Sequence, residues 1–195
     1  MSDTGAAGRR AERQVTAPAI ESPLVLTPRL IEKPWGGRRM ERVLRRALPP
    51  AAKIGESWEC YDRDGVSSAV RSGTFGGRSA AGQTLRDLRV AAGEDRPFPL
   101  LVKILDADEP LSIQVHPDAA AAARLGGEAK TECWFILDAE PGAKVWRGLK
   151  AGVTRDSLAE ALRKGRVEDC LHSFDVHSGD TVFVPAGTEI GRAHV

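Results

Sequence analysis

The stretch that decides the fold has two pieces separated by a short alanine-rich segment. The first piece reads Leu-Ser-Ile-Gln-Val-His-Pro over residues 111–117, and the second reads Gly-Gly-Glu-Ala-Lys-Thr-Glu-Cys-Trp over residues 126–134. The first piece alternates apolar and polar residues strictly, which is typical of a half-buried strand. Because successive side chains of a strand point to opposite faces, Ser112, Gln114 and His116 share one face.

The second piece is predicted to be another strand, and the same rule groups Lys130, Glu132 and Trp134 on one of its faces. If the two polar faces look into one cavity, Gln114, His116 and Glu132 converge as oxygen and nitrogen donors. Donors of this kind bind divalent metals such as zinc. The stretch therefore predicts part of a metal site inside a β-barrel.

Composition excludes several classes of partner. The 195 residues carry 28 Lys and Arg against 27 Asp and Glu, a formal net charge of +1, so no bulk field favours a nucleic acid or a membrane surface. No apolar run approaches the ~20 residues of a membrane span, and the N-terminus lacks a signal-peptide pattern. The 3 cysteines include no Cys-x-x-Cys pair, which fits a cytoplasmic location. The oligomeric state is not indicated.

The positions of glycine, proline and apolar runs divide the chain into predicted segments. Residues 1–22 have no apolar period, so we expect a disordered leader, with order beginning at a short strand over residues 23–26. Residues 32–37 read Glu-Lys-Pro-Trp-Gly-Gly, and proline with paired glycines predicts a loop. Residues 98–106 are apolar and predict a strand buried on both faces.

Three short helices are predicted over residues 84–90, 118–125 and 154–164. Each begins at a side chain that can cap a helix N-terminus, and these residues are Thr84, Asp118 and Thr154. The third helix should bury a stripe formed by Leu158, Ala161 and Leu162. Because the remaining segments are many short strands, the predicted class is mainly β, an antiparallel sandwich or barrel with short inserted helices.

Five motifs together resemble the type I mannose-6-phosphate isomerases (phosphomannose isomerases) of the cupin superfamily. The most specific combination is Gln-x-His-Pro at residues 114–117 followed by Lys-x-Glu-x-Trp at residues 130–134. Pro-Trp-Gly-Gly at residues 34–37 and Ile-Gly-Glu-Ser-Trp-Glu at residues 54–59 are similar to the N-terminal segments of that family. The spacing of residues 179–187, a glycine, five residues and then Pro-x-Gly, matches the second cupin motif.

The resemblance implies a cupin-type jelly roll over residues 23–188, incomplete at its last strands, that binds one zinc ion. The implied reaction is the reversible conversion of mannose 6-phosphate to fructose 6-phosphate, with a sugar phosphate as the partner. Three metal ligands are implied, and they are Gln114, His116 and Glu132. Ser112 and Lys130 match residues at the sugar-phosphate site, and Lys130 can stabilise developing negative charge or transfer a proton.

The chain departs from the family pattern after residue 188. The family has a histidine two residues further on as its fourth metal ligand, where this chain has Ile190. Residues 189–195 are not expected to continue a cupin strand, and they back-translate to a string that resembles a common sequencing adapter. We interpret them as a non-native tail on a truncated fragment, and we carry no ligand role onto His194. We expect this chain to be inactive or weakly active.

Other interpretations stay open beside this one. The chain is alternatively a non-catalytic cupin that binds a metal or a sugar, or a different cupin metalloenzyme such as an oxygenase. An oxygenase would normally show His-x-His where this chain has Gln114 and His116. Lys130 is alternatively a cation on the rim of the site, Trp134 is expected in the core or in a pocket wall, and Cys133 is expected to be an inert core residue.

Overall fold

Short strands dominate the computed structural model, which describes residues 17–63 and 65–193. The strands are β1 (Val25–Thr27), β2 (Arg29–Gly37), β3 (Ile54–Arg63), β4 (Val66–Ser67), β5 (Ala69–Ser72), β6 (Thr74–Phe75), β7 (Arg78–Ser79), β8 (Leu101–Leu105), β9 (Leu111–Val115), β10 (Glu132–Phe135), β11 (Lys144–Leu149), β12 (Leu171–Asp175), β13 (Thr181–Val184) and β14 (Glu189–Ala193). The helices are α1 (Arg39–Leu44), α2 (Leu85–Ala91), α3 (Ala119–Leu125) and α4 (Arg155–Arg163), with a 3₁₀ turn at Val167–Cys170.

The chain forms two compact units. Unit 1 contains Trp58–Lys103 and the residues up to Arg29, and unit 2 contains Leu30–Ser57 and Ile104–Val195. In unit 1, β1 pairs with β5 and β6 pairs with β7, both antiparallel. Its core is Val70, Ala80 and Leu88, with Leu24, Leu26 and Phe75 packed against them.

Unit 1 orders part of the predicted leader. Ile20 forms a β-bridge with Phe75, and the Ser22 hydroxyl accepts a hydrogen bond from the Thr74 amide at 2.9 Å. The Glu21 carboxylate accepts from the amide of Gly77. The prediction of disorder up to residue 22 is therefore wrong at its C-terminal end, because β6 supplies a template for pairing that local composition does not reveal. Residues 1–16 lie outside the described residues.

Unit 2 is a two-layer antiparallel arrangement. One sheet has the strand order β12-β11-β14-β9, and the other pairs β10 with β13. Apolar side chains from both sheets form one core, which contains Ala143, Val145, Val176, Val182, Val184 and Ile190. Burial of these aliphatic groups against each other is the main stabilising term of this unit.

Strand β14 corrects the prediction for residues 189–193. These residues pair with β11 on one side and with β9 on the other, so they do continue the sheet. Two local features fit that position: Ile190 is 3% exposed in the core, and a Cβ at Gly191 would lie 2.6 Å from Cγ1 of Ile113. The inward position of Ile190 fits a strand, and glycine at position 191 lets the neighbouring strand approach closely. The strands that pair here are far apart in the chain, so local sequence does not reveal the pairing. The assignment of residues 189–195 as non-native stays a prediction.

The predicted loop at residues 32–37 is also wrong, because this segment forms the last six residues of β2. Lys33 donates its amide hydrogen bond to the carbonyl of Lys53, and Gly37 donates to the carbonyl of Asp106. Glycine is needed here for close approach of two backbones and not for a turn. A Cβ at Gly36 would lie 2.5 Å from the amide nitrogen of Gly55.

We therefore expect Gly36→Ala to destabilise the protein by about 1–3 kcal/mol, since overpacking against backbone atoms cannot be relieved by a rotamer change. Gly127→Ala is the matched control, because a Cβ at Gly127 meets no atom within 4 Å. The measurement is the midpoint of urea unfolding. Equal midpoints for the two variants would contradict the close-approach argument.

Of the remaining expectations, those on helix starts are confirmed and those on burial are wrong. The helix starts are confirmed: the side chains of Thr84, Asp118 and Thr154 each accept a hydrogen bond from the third residue of their helix. The expected burial of residues 98–106 on both faces is wrong, since Leu100 is 58% and Val102 is 48% exposed. The stripe on α4 is not fully buried either, because Leu162 is 59% exposed on a helix that lies at the surface.

Among residues 17–63 and 65–193, no helix combines the length and the apolar character that a membrane crossing requires.

Candidate functional site

Backbone hydrogen bonds bring the two pieces of the deciding stretch together in unit 2. His116 follows β9 directly, and its carbonyl accepts a hydrogen bond of 2.8 Å from the amide of Gly187. The amide of Lys130 donates to the carbonyl of Pro117 at 3.2 Å. Glu132 begins β10 and lies opposite Val184 of β13. The corner after β13, the end of β9 and the start of β10 therefore meet at one place.

The side chains of His116, Lys130 and Glu132 form a contact triad there. Nε2 of His116 lies 3.1 Å from Oε2 of Glu132 and 3.1 Å from Nζ of Lys130. Lys130 also forms an ion pair with Oε1 of Glu132, and the indole Nε1 of Trp134 donates to Oε2 of Glu132 at 3.2 Å. The His116 and Glu132 side chains are only 15% and 14% exposed, so the triad is partly shielded from water.

Glu132 is held as a carboxylate by its neighbours. Burial alone would raise its pKa, but the hydrogen bond and positive charge of Lys130 act in the opposite direction. His116 and the hydrogen bond from Trp134 add to the effect of Lys130, and the pKa of Glu132 is lowered from its ordinary value. An anionic, half-buried oxygen donor beside an imidazole is consequently present at neutral pH.

Gln114 and Ser112 form a separate hydrogen-bonded pair on β9. Nε2 of Gln114 donates to Oγ of Ser112 at 2.8 Å, and both side chains are exposed. Gln114 lies directly opposite Ile190 on β14, so their side chains are neighbours on one face of the sheet. Ile190 is buried, and the position that the family resemblance assigns to a fourth ligand is therefore occupied by an aliphatic side chain.

The donor atoms are of the kinds that bind a divalent metal, but there are fewer of them than the four that zinc prefers. An imidazole nitrogen and a carboxylate oxygen are zinc donors, and the amide oxygen of Gln114 would be a third. Within the described part of the chain, His, Cys, Asp and Glu residues form no group of three or more that could hold a metal. The ammonium of Lys130 contacts the same two donor groups, so Lys130 and a metal ion would compete for them.

The structure places one residue against expectation and brings in another that the sequence analysis did not consider. Cys133 was expected in the core, but it is exposed on β10 opposite Phe183, because the outer face of the β10–β13 pair is uncovered in this structure. Arg147 was not singled out, although it faces the interior from β11 opposite Ile190. The available signal was an arginine two residues after Val145, where strand alternation predicts an inward position.

Comparisons with known proteins point to one enzyme family. The family model of the type I phosphomannose isomerase catalytic domain matches residues 24–133. Mannose-6-phosphate isomerase of Streptococcus mutans is 34% identical over 172 residues, which are 87% of this chain and 54% of that protein. Mannose-6-phosphate isomerase ManA of Bacillus subtilis is 36% identical over 170 residues, which are 85% of this chain and 53% of that protein.

The structural comparison agrees with the sequence comparison. A crystal structure of mannose 6-phosphate isomerase from Bacillus subtilis matches with a TM-score of 0.76 at 32% identity, covering 89% of this chain and 55% of that one. The predicted mainly β, cupin-type fold is thereby confirmed. The chain spans about half the length of the curated relatives it matches.

Proposed function

The chain belongs to the type I phosphomannose isomerase family, and from this premise we propose that it is built for metal-dependent interconversion of mannose 6-phosphate and fructose 6-phosphate. The observation that carries the proposal is the contact triad of His116, Lys130 and Glu132. An aldose–ketose isomerisation moves a proton between two adjacent carbons through an enediol. It needs a polarised carbonyl, a group for proton transfer and a partner for the phosphate.

The residues present divide these tasks between them. Gln114, His116 and Glu132 would hold the metal, for which we propose zinc, one ion per chain. When bound, such an ion supplies Lewis-acid polarisation of the substrate oxygens. Lys130, which lies beside both His116 and Glu132, could offer an ammonium to oxygen that gains negative charge, or transfer a proton. The Ser112 hydroxyl can donate a hydrogen bond to the phosphate.

Catalytic competence is limited by Ile190. Without a fourth donor a metal would be held by three side chains, one of which, Gln114, is exposed and hydrogen-bonded to Ser112. We therefore propose that this chain is inactive or weakly active as an isomerase. The same observation supports a second candidate, a non-catalytic cupin that binds a metal or a sugar phosphate, because binding tolerates a weaker metal site than turnover does.

The test of the metal site is Glu132→Gln, which removes the charge and keeps the shape. We expect at least a tenfold loss of zinc and cobalt affinity, since even indirect partners of metal ligands contribute tenfold or more. Competition with a chelating dye measures the affinity. Glu160→Gln is the control, because Glu160 pairs only with Lys164 on the exposed α4 among the described residues.

Three outcomes of this test separate the candidates. Zinc affinity that is the same in wild type and Glu132→Gln would contradict the proposed ligand set. A coupled assay with mannose 6-phosphate and zinc should show no turnover above background, and turnover that disappears in Glu132→Gln would show that the chain is a competent isomerase. Binding of mannose 6-phosphate without turnover would favour the non-catalytic candidate.

We also propose a cytoplasmic location, with a small sugar phosphate as the partner. The support is the state of Cys60, Cys133 and Cys170, which are all free thiols. Free cysteines at both buried and exposed positions fit a reducing compartment. Burial raises the pKa of the Cys60 thiol, which keeps it protonated and unreactive.

A further inference from the structure

We propose that Trp134 is a positioning residue for Glu132, because its indole N–H fixes the direction of the carboxylate that the proposed metal site uses. This inference rests on the proposed function for the identity of the metal ion. Its structural basis is a hydrogen bond to Glu132, the packing of the indole ring, and a difference between the three groups that contact this carboxylate.

Three side chains contact the two carboxylate oxygens of Glu132. Lys130 pairs with Oε1, whereas Oε2 lies 3.1 Å from Nε2 of His116. The same Oε2 accepts a hydrogen bond of 3.2 Å from Nε1 of Trp134. The last torsion of a glutamate side chain has a broad distribution, so a carboxylate turns easily unless its oxygens are held. The contacts on both oxygens therefore define its direction in this structure.

A metal ion would change two of these three contacts. In the proposed site His116 is itself a ligand, and the ammonium of Lys130 competes with the ion for the same donor groups. The indole N–H differs from both, because it donates a hydrogen bond and has no lone pair to offer a metal. A carboxylate has about four lone-pair positions, so it can accept this hydrogen bond and bind an ion together. Of the three groups, Trp134 is thus the one that can orient Glu132 both with and without a metal.

The indole ring has a fixed support. Trp134 follows Glu132 by two residues on β10, so both side chains point to the same face of the strand. The ring packs against the aliphatic core that contains Val182 and Val184. A packed ring holds its N–H in a constant direction. The carboxylate is therefore oriented before an ion arrives and loses less conformational freedom when it binds.

The test compares Trp134→Phe, which keeps an aromatic ring and removes the N–H, with Trp146→Phe as the matched control. Trp146 is also partly buried in unit 2, but its indole has no hydrogen-bond partner in the part of the chain that the structure describes. Competition with a chelating dye measures zinc affinity. We expect Trp134→Phe to weaken zinc binding by about tenfold to hundredfold, as for other hydrogen-bond partners of metal ligands, and Trp146→Phe to bind zinc like the wild type. Equal zinc affinity of wild type and Trp134→Phe would overturn the proposal.

Combination with Glu132→Ala separates positioning from packing. A positioning residue acts through Glu132, so Trp134→Phe should change zinc affinity by no more than about twofold once the carboxylate is absent. A residue that only supports the fold would weaken zinc binding by the same factor in both backgrounds, and that result would overturn the proposal. Urea unfolding of the single and double variants shows that each is folded under the conditions of the titration.

A metal-free measurement distinguishes this inference from the proposed function. The indole Nε1–H resonance of Trp134, assigned by its loss in Trp134→Phe, is compared by NMR between wild type and Glu132→Gln. We expect it to move upfield in Glu132→Gln, because a neutral amide oxygen is a weaker acceptor than a carboxylate, while the resonance of Trp146 stays in place. An unchanged Trp134 resonance would reject the role of Trp134. A response of this resonance in a wild type that binds no zinc would reject only the proposed function.

Discussion

Replacing Ile190 by histidine is expected to raise the zinc affinity of the chain by about tenfold to hundredfold or more. Ile190 lies opposite Gln114 in the β9–β14 ladder, so a histidine there presents a nitrogen donor on the same face. Zinc prefers four ligands in a tetrahedral set, and indirect partners of ligands already change affinity tenfold to hundredfold. A direct donor should contribute at least as much.

The same substitution should make stability depend on zinc. Ile190 is 3% exposed among Val145, Val184 and other aliphatic residues, so an imidazole in its place loses apolar burial and buries a polar group. The metal-free variant should lose about 2–4 kcal/mol, and saturating zinc should return part of that loss by mass action. Wild-type stability should respond much less to zinc.

The measurement is thermal unfolding with and without zinc, together with the chelator competition described for Glu132. Val145→His is the control, because Val145 is equally buried in this core and lies opposite Arg192 on β14, two residues beyond the partner of Gln114. It should destabilise the protein without a gain in affinity. Unchanged zinc affinity in Ile190→His would contradict the proposed geometry of the site.

The second large effect is expected at Asp62 in unit 1. Its carboxylate is 4% exposed, accepts from Nε of Arg86 at 2.7 Å and accepts from Nη1 of Arg89 at 2.8 Å. The guanidinium of Arg89 also lies 5.4 Å from the ring centroid of Phe98. The carboxylate therefore joins β3 to both turns of α2 through charge-assisted hydrogen bonds.

Asp62→Ala should destabilise the protein by about 3 kcal/mol, since it leaves the largely buried Arg89 without its anion. The value is at the low end for a buried pair because Arg86 is 43% exposed and can return to water. Urea unfolding followed by fluorescence measures the change. Glu94→Ala, which removes a solvent-exposed pair with Arg96 in the same unit, should change stability little. A comparable loss in both variants would show that burial of Asp62 does not matter.

Local chemistry explains which elements were predictable from sequence. The helix starts at Thr84, Asp118 and Thr154 depend on a side chain and an amide three residues away, so both partners are visible in a short window. Strand β9 has a strict period of two. By contrast, Gly36 contacts Gly55, a neighbour in space that sequence does not reveal, and a glycine required for close approach looks the same as one required for a turn.

The contacts of the site likewise include some that local sequence predicts and some that it does not. The contact of His116 with Glu132 follows from two alternating segments whose polar side chains turn toward each other, and this part was predicted. The opposition of Gln114, Ile190 and Arg147 depends on the register among three strands that are far apart in the chain. A shift of one residue would turn Arg147 to the other face, and nothing in the local sequence selects the register.

The hydrogen bond from the Gly187 amide to the His116 carbonyl links the corner after β13 to the end of β9. The Gly187 amide proton can exchange with solvent only when this bond opens, so its exchange rate reports local separation of the corner from the backbone of His116. A ligand that binds only the closed arrangement slows that exchange in proportion to its occupancy, without any chemical step. The amide of Gly187 thus gives the protein an internal probe of site closure, one that reports even in a chain that turns nothing over.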